Sequence, residues 1–215
     1  MGLITRQEMR ELEAKAFRSG ISAESLMDKA GKRLGEAIRD LYPISGTAVA
    51  YVGKGNNGGD ALVALKVLRA AGWKVSVRCS FALLELGILP RRKLRELGGV
   101  EVRHDAFELV MGPGPLLLID GLLGIGSKGP MRDPIAGLAA EMNALRDGAG
   151  AEVVSVDIPS GVDPDNGRVS EGAVRAGLTA TIGVPKKGLV EDLALDHVGR
   201  IEVIPLEELP DSYPG

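Results

Sequence analysis

The chain's pattern predicts an α/β fold: a Rossmann-like, mostly parallel sheet with helices on both faces and two extra helices at the N-terminus. Three observations carry this. Strand and helix signals alternate from residue 47 onward, as repeated βα units require. The run Leu116-Leu117-Leu118-Ile119 is continuously apolar, as expected of a strand buried on both faces. Residues 53–60, Gly-Lys-Gly-Asn-Asn-Gly-Gly-Asp, form a glycine-rich connection between a strand signal and a helix signal.

In order, Thr5 with Glu8 three residues later is a capping box, predicting a helix over 6–18 that ends before Gly20. Ser22 opens a second helix through residue 41, with Leu26, Ala30, Leu34, Ala37, Ile38 and Leu41 on one face. These two helices are either an added layer on the sheet or an oligomer contact, and the 26–41 face would suit a homodimer. Strands follow at 47–52, 74–79, 100–103, 115–120, 152–156, 178–182 and 201–204. Helices are expected at 60–71, 91–97 and, with Pro134 in its first turn, 134–146. No repeat, low-complexity run or long linker divides the chain, so residues 1–215 read as a single domain.

Composition narrows the function. With a net charge of −3 and scattered basic residues, the chain lacks a nucleic-acid footprint. Cys79 is the one cysteine, which excludes an intrachain disulfide and suggests a reducing compartment; on its strand it reads as a small buried hydrophobe. No window reaches membrane-spanning length, and the N-terminus has no apolar signal region, so a cytoplasmic protein is expected. His104 and His197 lack partners at metal-ligand spacing, so zinc is not expected.

Three loops follow strand C-termini, where open α/β sheets bind ligands. The first is the 53–60 turn, which can offer backbone N–H groups and a helix N-terminus to an anion. Asn56, Asn57 and Asp60 add polar groups that a plain phosphate turn does not need, although Asp60 could also cap its helix. The second runs from Asp120-Gly121-Leu122-Leu123-Gly124 through Met131 to Arg132. Asp120 stands at the mouth of the core, where desolvation raises a carboxyl pKa, and is the best general acid–base candidate. The third is Asp157-Ile158-Pro159-Ser160-Gly161-Val162-Asp163. Pro185-Lys186-Lys187-Gly188 either brings positive charge to the ligand edge or is a solvated basic turn. Asp163-Pro164-Asp165-Asn166-Gly167 lacks the remaining calcium-loop ligands and reads as a turn.

A Rossmann dehydrogenase would carry an acid at the end of the second strand. This one ends Val77-Arg78-Cys79, where Arg78 could at most tolerate a 2′-phosphate. A P-loop would need Gly-Lys-Ser/Thr after its glycines, and Asn57-Gly58-Gly59-Asp60 supplies neither lysine nor hydroxyl.

With these loops assembled, the chain resembles the NAD(P)H-hydrate epimerase family, also known as the YjeF N-terminal domain. The matching segments are Leu26-Met27-Asp28-Lys29-Ala30-Gly31, the GNNGGD loop, Asp120-Gly121-Leu122-Leu123-Gly124, Val156-Asp157-Ile158-Pro159-Ser160-Gly161 and Val184-Pro185-Lys186-Lys187-Gly188-Leu189. The resemblance spans about residues 5 to 204. Ala61 stands where glycine is common, and Asp28 where glutamate is usual.

The resemblance implies an isomerase that interconverts the R and S forms of hydrated NADH and NADPH (NADHX and NADPHX) in nicotinamide nucleotide repair. It implies substrate contacts from Asn56, Asn57, Gly58, Gly59 and Asp60, from Gly124, Ile125, Gly126, Ser127, Lys128, Gly129 and Pro130, and from Asp157. It also implies a potassium ion held by Asn57, Asp120 and Ser160. Asp120 is the chosen catalytic residue, although a bound cation would favour its ionised form and oppose its use as an acid. A separate dehydratase is the expected downstream partner. The alternative is a non-catalytic nucleotide-binding scaffold module of the same fold, which should have lost these polar residues.

Overall fold

The computed structural model describes residues 2–79, 81–104 and 113–209. In chain order its elements are α1 (Arg6–Arg18), α2 (Ala23–Leu41), β1 (Thr47–Val52), α3 (Asn56–Ala70), β2 (Lys74–Arg78), α4 (Ile88–Leu97), β3 (Glu101–Arg103) and β4 (Leu116–Gly121). They continue as α5 (Ile135–Ala149), β5 (Glu152–Val156), β6 (Leu178–Ile182), α6 (Leu195–Val198) and β7 (Arg200–Ile204).

All seven strands are parallel, in the order β3-β2-β1-β4-β5-β6-β7. The chain winds outward from β1 to β3, then returns to lay β4 against β1 and winds the other way to β7. That reversal between β1 and β4 is a topological switch point, where a crevice opens beyond the strand C-termini. The 53–60 turn and the loop after Asp120 both leave the sheet there.

Neighbouring residues of β1 show that helices cover both faces. Val52 packs against Gly58 of α3, while the hydroxyl of Tyr51 donates to Glu141 of α5 at 2.9 Å. Consecutive strand residues point to opposite faces. Glu141 also receives Arg78, buried at the end of β2, at 2.8 Å. Arg78 donates as well to the His104 carbonyl at 2.6 Å. It is thus committed inside the fold, and the sequence's suggestion that it could meet a 2′-phosphate does not hold. Cys79 is buried, as expected.

The Thr5–Glu8 capping box forms at the start of α1: Glu8 N–H donates to Thr5 Oγ1 at 3.2 Å and Thr5 N–H to Glu8 Oε2 at 2.6 Å. Before it, Ile4 runs beside Lys186, with Ile4 N–H donating to the Pro185 carbonyl at 3.0 Å and Lys187 N–H to the Ile4 carbonyl at 2.9 Å. α2 buries Leu26, Met27, Ala30, Gly31, Leu34, Gly35 and Ile38. A Cβ on Gly31 would lie 2.5 Å from that of Val63 on α3, so the two helices meet too closely for any side chain there. The 26–41 face is therefore used for packing within the chain and is not left free for a homodimer.

Two boundaries shift in ways that matter. α3 begins at Asn56 rather than residue 60, with Gly55 as its N-cap, so Asp60 lies inside the helix and is not its cap. α4 begins at Ile88, earlier than residue 91. Among the described residues, no helix is long and apolar enough to cross a membrane.

Candidate functional site

A cavity of about 550 Å³ opens at the switch point. One wall is the start of α3 with the turn before it: Lys54, Gly55, Asn56, Asn57 and Asp60. A second is the stretch after β4, Leu122 through Ser127, and a third comes from α1 through Met9, Arg10 and Glu13. Asp157 and Ile182 close the end nearest β5 and β6, and Phe81 lies on the wall as well.

The turn into α3 is close because Gly53 lacks a side chain. An added Cβ would sit 1.8 Å from the Leu122 carbonyl oxygen, while Gly53 N–H donates to the Gly121 carbonyl at 3.1 Å. The ends of β1 and β4 thereby stay in contact, and the first turn of α3 faces the crevice. No side chain caps Gly55. Gly58 N–H turns back to the Gly55 carbonyl at 3.1 Å, which leaves the N–H groups of Asn56 and Asn57 to meet an anion, with the helix dipole in support.

Of the residues implied to touch substrate, Asn56, Asn57, Asp60, Gly124, Ile125, Gly126, Ser127 and Asp157 line this cavity. Gly58 and Gly59 do not: on α3 they turn toward Val52 and Met27. Lys128, Gly129 and Pro130 are exposed and lie beyond the wall. The loop itself is tied back, with Arg6 Nη1 donating to the Ser127 carbonyl at 2.6 Å and Nη2 to Asp163 Oδ2 at 3.1 Å. Asp163 closes its own turn by accepting from Asp165 N–H at 2.9 Å, in keeping with the turn read from its sequence.

Asp120 is wholly buried behind the wall and not on it. Its carboxylate accepts from Ser160 Oγ at 2.6 Å, Ser160 N–H at 2.8 Å, Ser155 Oγ at 2.8 Å and Leu122 N–H at 3.2 Å. Burial raises its pKa, and the hydrogen bonds from Ser160, Ser155 and Leu122 oppose that. Ser160 Oγ in turn accepts from Leu123 N–H at 2.9 Å. Asn57 Nδ2 donates to the carbonyls of Leu123 at 2.7 Å and Val156 at 3.1 Å. Asn57, Asp120 and Ser160 are thus joined through one residue, Leu123. Asn57 presents its amide nitrogen, not its oxygen, to the two main-chain carbonyls, so turning that amide over is what would complete an all-oxygen set suited to a hard cation with the Asp120 carboxylate and the Ser160 hydroxyl.

Asp157 has φ +67°, the one non-glycine with a left-handed backbone among the described residues. Such strain persists only when the surroundings impose it. Here Asp157 N–H donates to the Ala180 carbonyl at 2.9 Å, and Oδ1 accepts from Ile182 N–H at 3.0 Å and from the Lys186 ammonium. Lys186 has no exposed surface, and also donates to the Ile182 carbonyl at 2.8 Å. Of the two readings of the Pro185–Gly188 turn, the structure takes the one that brings charge to the ligand edge.

Sequence reasoning missed Lys186 as a buried partner, the α1 wall, Phe81 and Ile182. The signal for Glu13 was available. It sits beside Met9, Leu12 and Ala16, the buried face of α1, where a solvated glutamate is out of place.

Asp60 faces the cavity without a hydrogen bond or ion pair among the described residues. Burial pushes its carboxyl well above the ordinary range, the charges of Asp157, Glu13 and Asp28 push the same way, and Lys186 opposes them. At low pH both folded and unfolded states hold this proton. As pH rises above the ordinary carboxylate range, the unfolded chain ionises first and stability falls. Asp60→Asn is therefore expected to raise the melting temperature at pH 8 and leave it unchanged near pH 4, each kcal/mol being worth roughly 2–4 °C in a chain of this size. A melting series over pH 4–8 checks this; equal effects at both ends would contradict it.

Residues 23–188 match the family model described as YjeF-related protein N-terminus. The chain is 37% identical over 217 residues to the Bifunctional NAD(P)H-hydrate repair enzyme Nnr of Gloeobacter violaceus, covering 94% of this chain and 40% of that protein. It thus spans about two fifths of the length of that relative. Against proteins named NAD(P)H-hydrate epimerase it is 33% identical both in Rhodopirellula baltica, covering 96% of this chain and 86% of the relative, and in Limosilactobacillus fermentum, covering 93% and 94%. The crystal structure of the yeast protein ynu0 superposes with a TM-score of 0.76 at 23% identity, over 92% of this chain and 84% of that one, which shows a shared fold.

Proposed function

Because this chain belongs to the family of YjeF-related protein N-termini, we propose that it is an NAD(P)H-hydrate epimerase, an isomerase interconverting the R and S forms of NADHX and NADPHX. The observation that carries this reading is the match to two proteins of that name along nearly their whole length. A cavity at the switch point, mostly apolar but carrying Asn56, Asn57, Asp60 and Asp157, in the position expected of a nucleotide site, supports it.

In this reading the substrate's phosphates lie at the start of α3, against the N–H groups of Asn56 and Asn57, with Lys54 on the same wall and Arg10 on the α1 wall. The damaged nicotinamide ring carries a hydroxyl on C6, next to the ring nitrogen. The nitrogen's lone pair can expel that hydroxyl once it is protonated, leaving a planar cation to which water adds from either face. The protein's part is to hold the ring, limit water, and supply and recover one proton. Cavity carboxyls are placed for that work. Asp120 is not on the wall, and its part is to fix Ser160 and the Leu122–Leu123 backbone.

With the Asn57 amide turned so that its oxygen, not its nitrogen, meets the Leu123 and Val156 carbonyls, Asn57, Asp120 and Ser160 would hold a potassium ion through their oxygens. Bound there, the ion would supply a fixed positive charge joining all three loops. A dehydratase that consumes one epimer is the partner that would complete the repair.

The test mixes purified protein with equilibrated R,S-NADHX and a dehydratase that acts only on the S form. Loss of the R form well above its spontaneous rate is expected. A rate equal to the spontaneous one would leave a binding or scaffold role in its place.

A further inference from the structure

The α1 wall carries charged groups that the family match, beginning at residue 23, does not reach. Glu13 and Arg10 lie three residues apart on α1, and both line the cavity. Glu13 is half-buried and makes no hydrogen bond or ion pair among the described residues. It also lines a smaller apolar recess of about 160 Å³ between α1 and α2, and shares that junction with Asp60.

The charges facing Glu13 come from several elements. Asp60 projects from α3, Asp157 follows β5, Lys186 follows β6, Arg10 lies on its own helix, and Asp28 of α2 adds negative charge near Asp60. Lys186 is already bound to Asp157 and to the Ile182 carbonyl. Three carboxyl groups therefore line the cavity, with the Arg10 and Lys54 side chains on its walls and the buried Lys186 ammonium bound to Asp157.

We infer that Glu13 is the catalytic acid–base of the epimerisation, donating its carboxyl proton to the departing C6 hydroxyl and recovering one from the water that returns. This rests on the epimerase reading. The C6–O bond breaks with its electron pair on oxygen, which takes the Glu13 proton and leaves as water. The ring nitrogen's lone pair closes a double bond to C6, and the Glu13 carboxylate balances the resulting cation. Water then adds to C6 and returns a proton to the carboxylate, so no other reactant is needed. R and S products require water on opposite faces of the ring, and Asp60 enters the cavity from a different helix from Glu13. Burial, then the charge of Asp157, raises the Glu13 pKa, with Lys186 and Arg10 opposing. That enlarges the protonated fraction near neutral pH.

The test compares wild type, Glu13→Gln and Glu13→Asp in the coupled assay from pH 5 to 9, with the spontaneous rate subtracted and each variant's melting temperature measured. Wild-type kcat should fall at alkaline pH as the acid form is lost. Glu13→Gln should lower kcat by about 10²-fold or more, abolish that alkaline limb and leave KM within about threefold. Glu13→Asp should keep a limb and recover part of kcat; if Glu13→Gln does not fold, this variant decides the matter by whether its limb shifts. Wild-type kcat and limb in Glu13→Gln, or a loss confined to KM, would overturn the role of Glu13 alone. A wild type no faster than buffer would overturn the epimerase reading beneath it.

Discussion

Lys186→Met is expected to destabilise the protein by about 3–5 kcal/mol and to abolish activity. The ammonium is completely buried, and it is the cation bound to Asp157. Removing it leaves a carboxylate held by Ile182 N–H at 3.0 Å in a cavity that already contains Asp60 and Glu13. Asp157 also occupies a left-handed backbone conformation at φ +67°, so the lost partner had been helping to hold a strained residue. Adding Asp157→Asn removes the uncompensated charge, and the double variant should regain part of the lost stability without regaining activity. Urea melts at pH 7 on wild type and the two variants, with the coupled assay beside them, check both points. A loss below about 1 kcal/mol for Lys186→Met would mean that the pair contributes no more than a surface ion pair.

Asp120→Ala is the second large effect, and its signature separates positioning from proton transfer. The substitution strips the acceptor from Ser155 Oγ, Ser160 Oγ, Ser160 N–H and Leu122 N–H, all inside the fold. Each stranded donor costs about 1–3 kcal/mol, offset in part by removal of a carboxyl whose burial is itself unfavourable. A net loss on the order of 3 kcal/mol is expected. Activity should fall with it, because Ser160 and the Leu122–Leu123 backbone lose their anchor. An inactive variant that melts like wild type would instead make Asp120 the proton carrier.

Much of this architecture was legible in the residues. The Thr5–Glu8 box, the apolar run at residues 116–119 and the Glu152–Val156 and Leu178–Ile182 strands depend on local pattern, and they form as the pattern requires. The three loops were legible because each follows a strand. The start of α3 was not: glycines are poor helix formers, yet Gly58 and Gly59 lie in the helix, and at Gly58 a side chain would meet the Gly53 carbonyl and Val52. The position of Asp120 was half-visible. A carboxylate ending an apolar strand is buried, but only the fold reveals that Leu122 and Leu123 pass between it and the cavity. Lys186 and the α1 wall were hidden for a simpler reason. They meet the site across 29 and about 144 residues of chain respectively, counted from Lys186 to Asp157 and from Glu13 to Asp157, and lysine is rarely buried.

This cavity is expected to catalyse departure and return of the C6 hydroxyl. That is tested most directly by incubating isolated R-NADHX with the protein in H₂¹⁸O and following both S-form appearance and ¹⁸O at C6. Both should rise together, well above the buffer rate, in proportion to protein concentration. Interconversion and ¹⁸O uptake no faster than in buffer alone would contradict it.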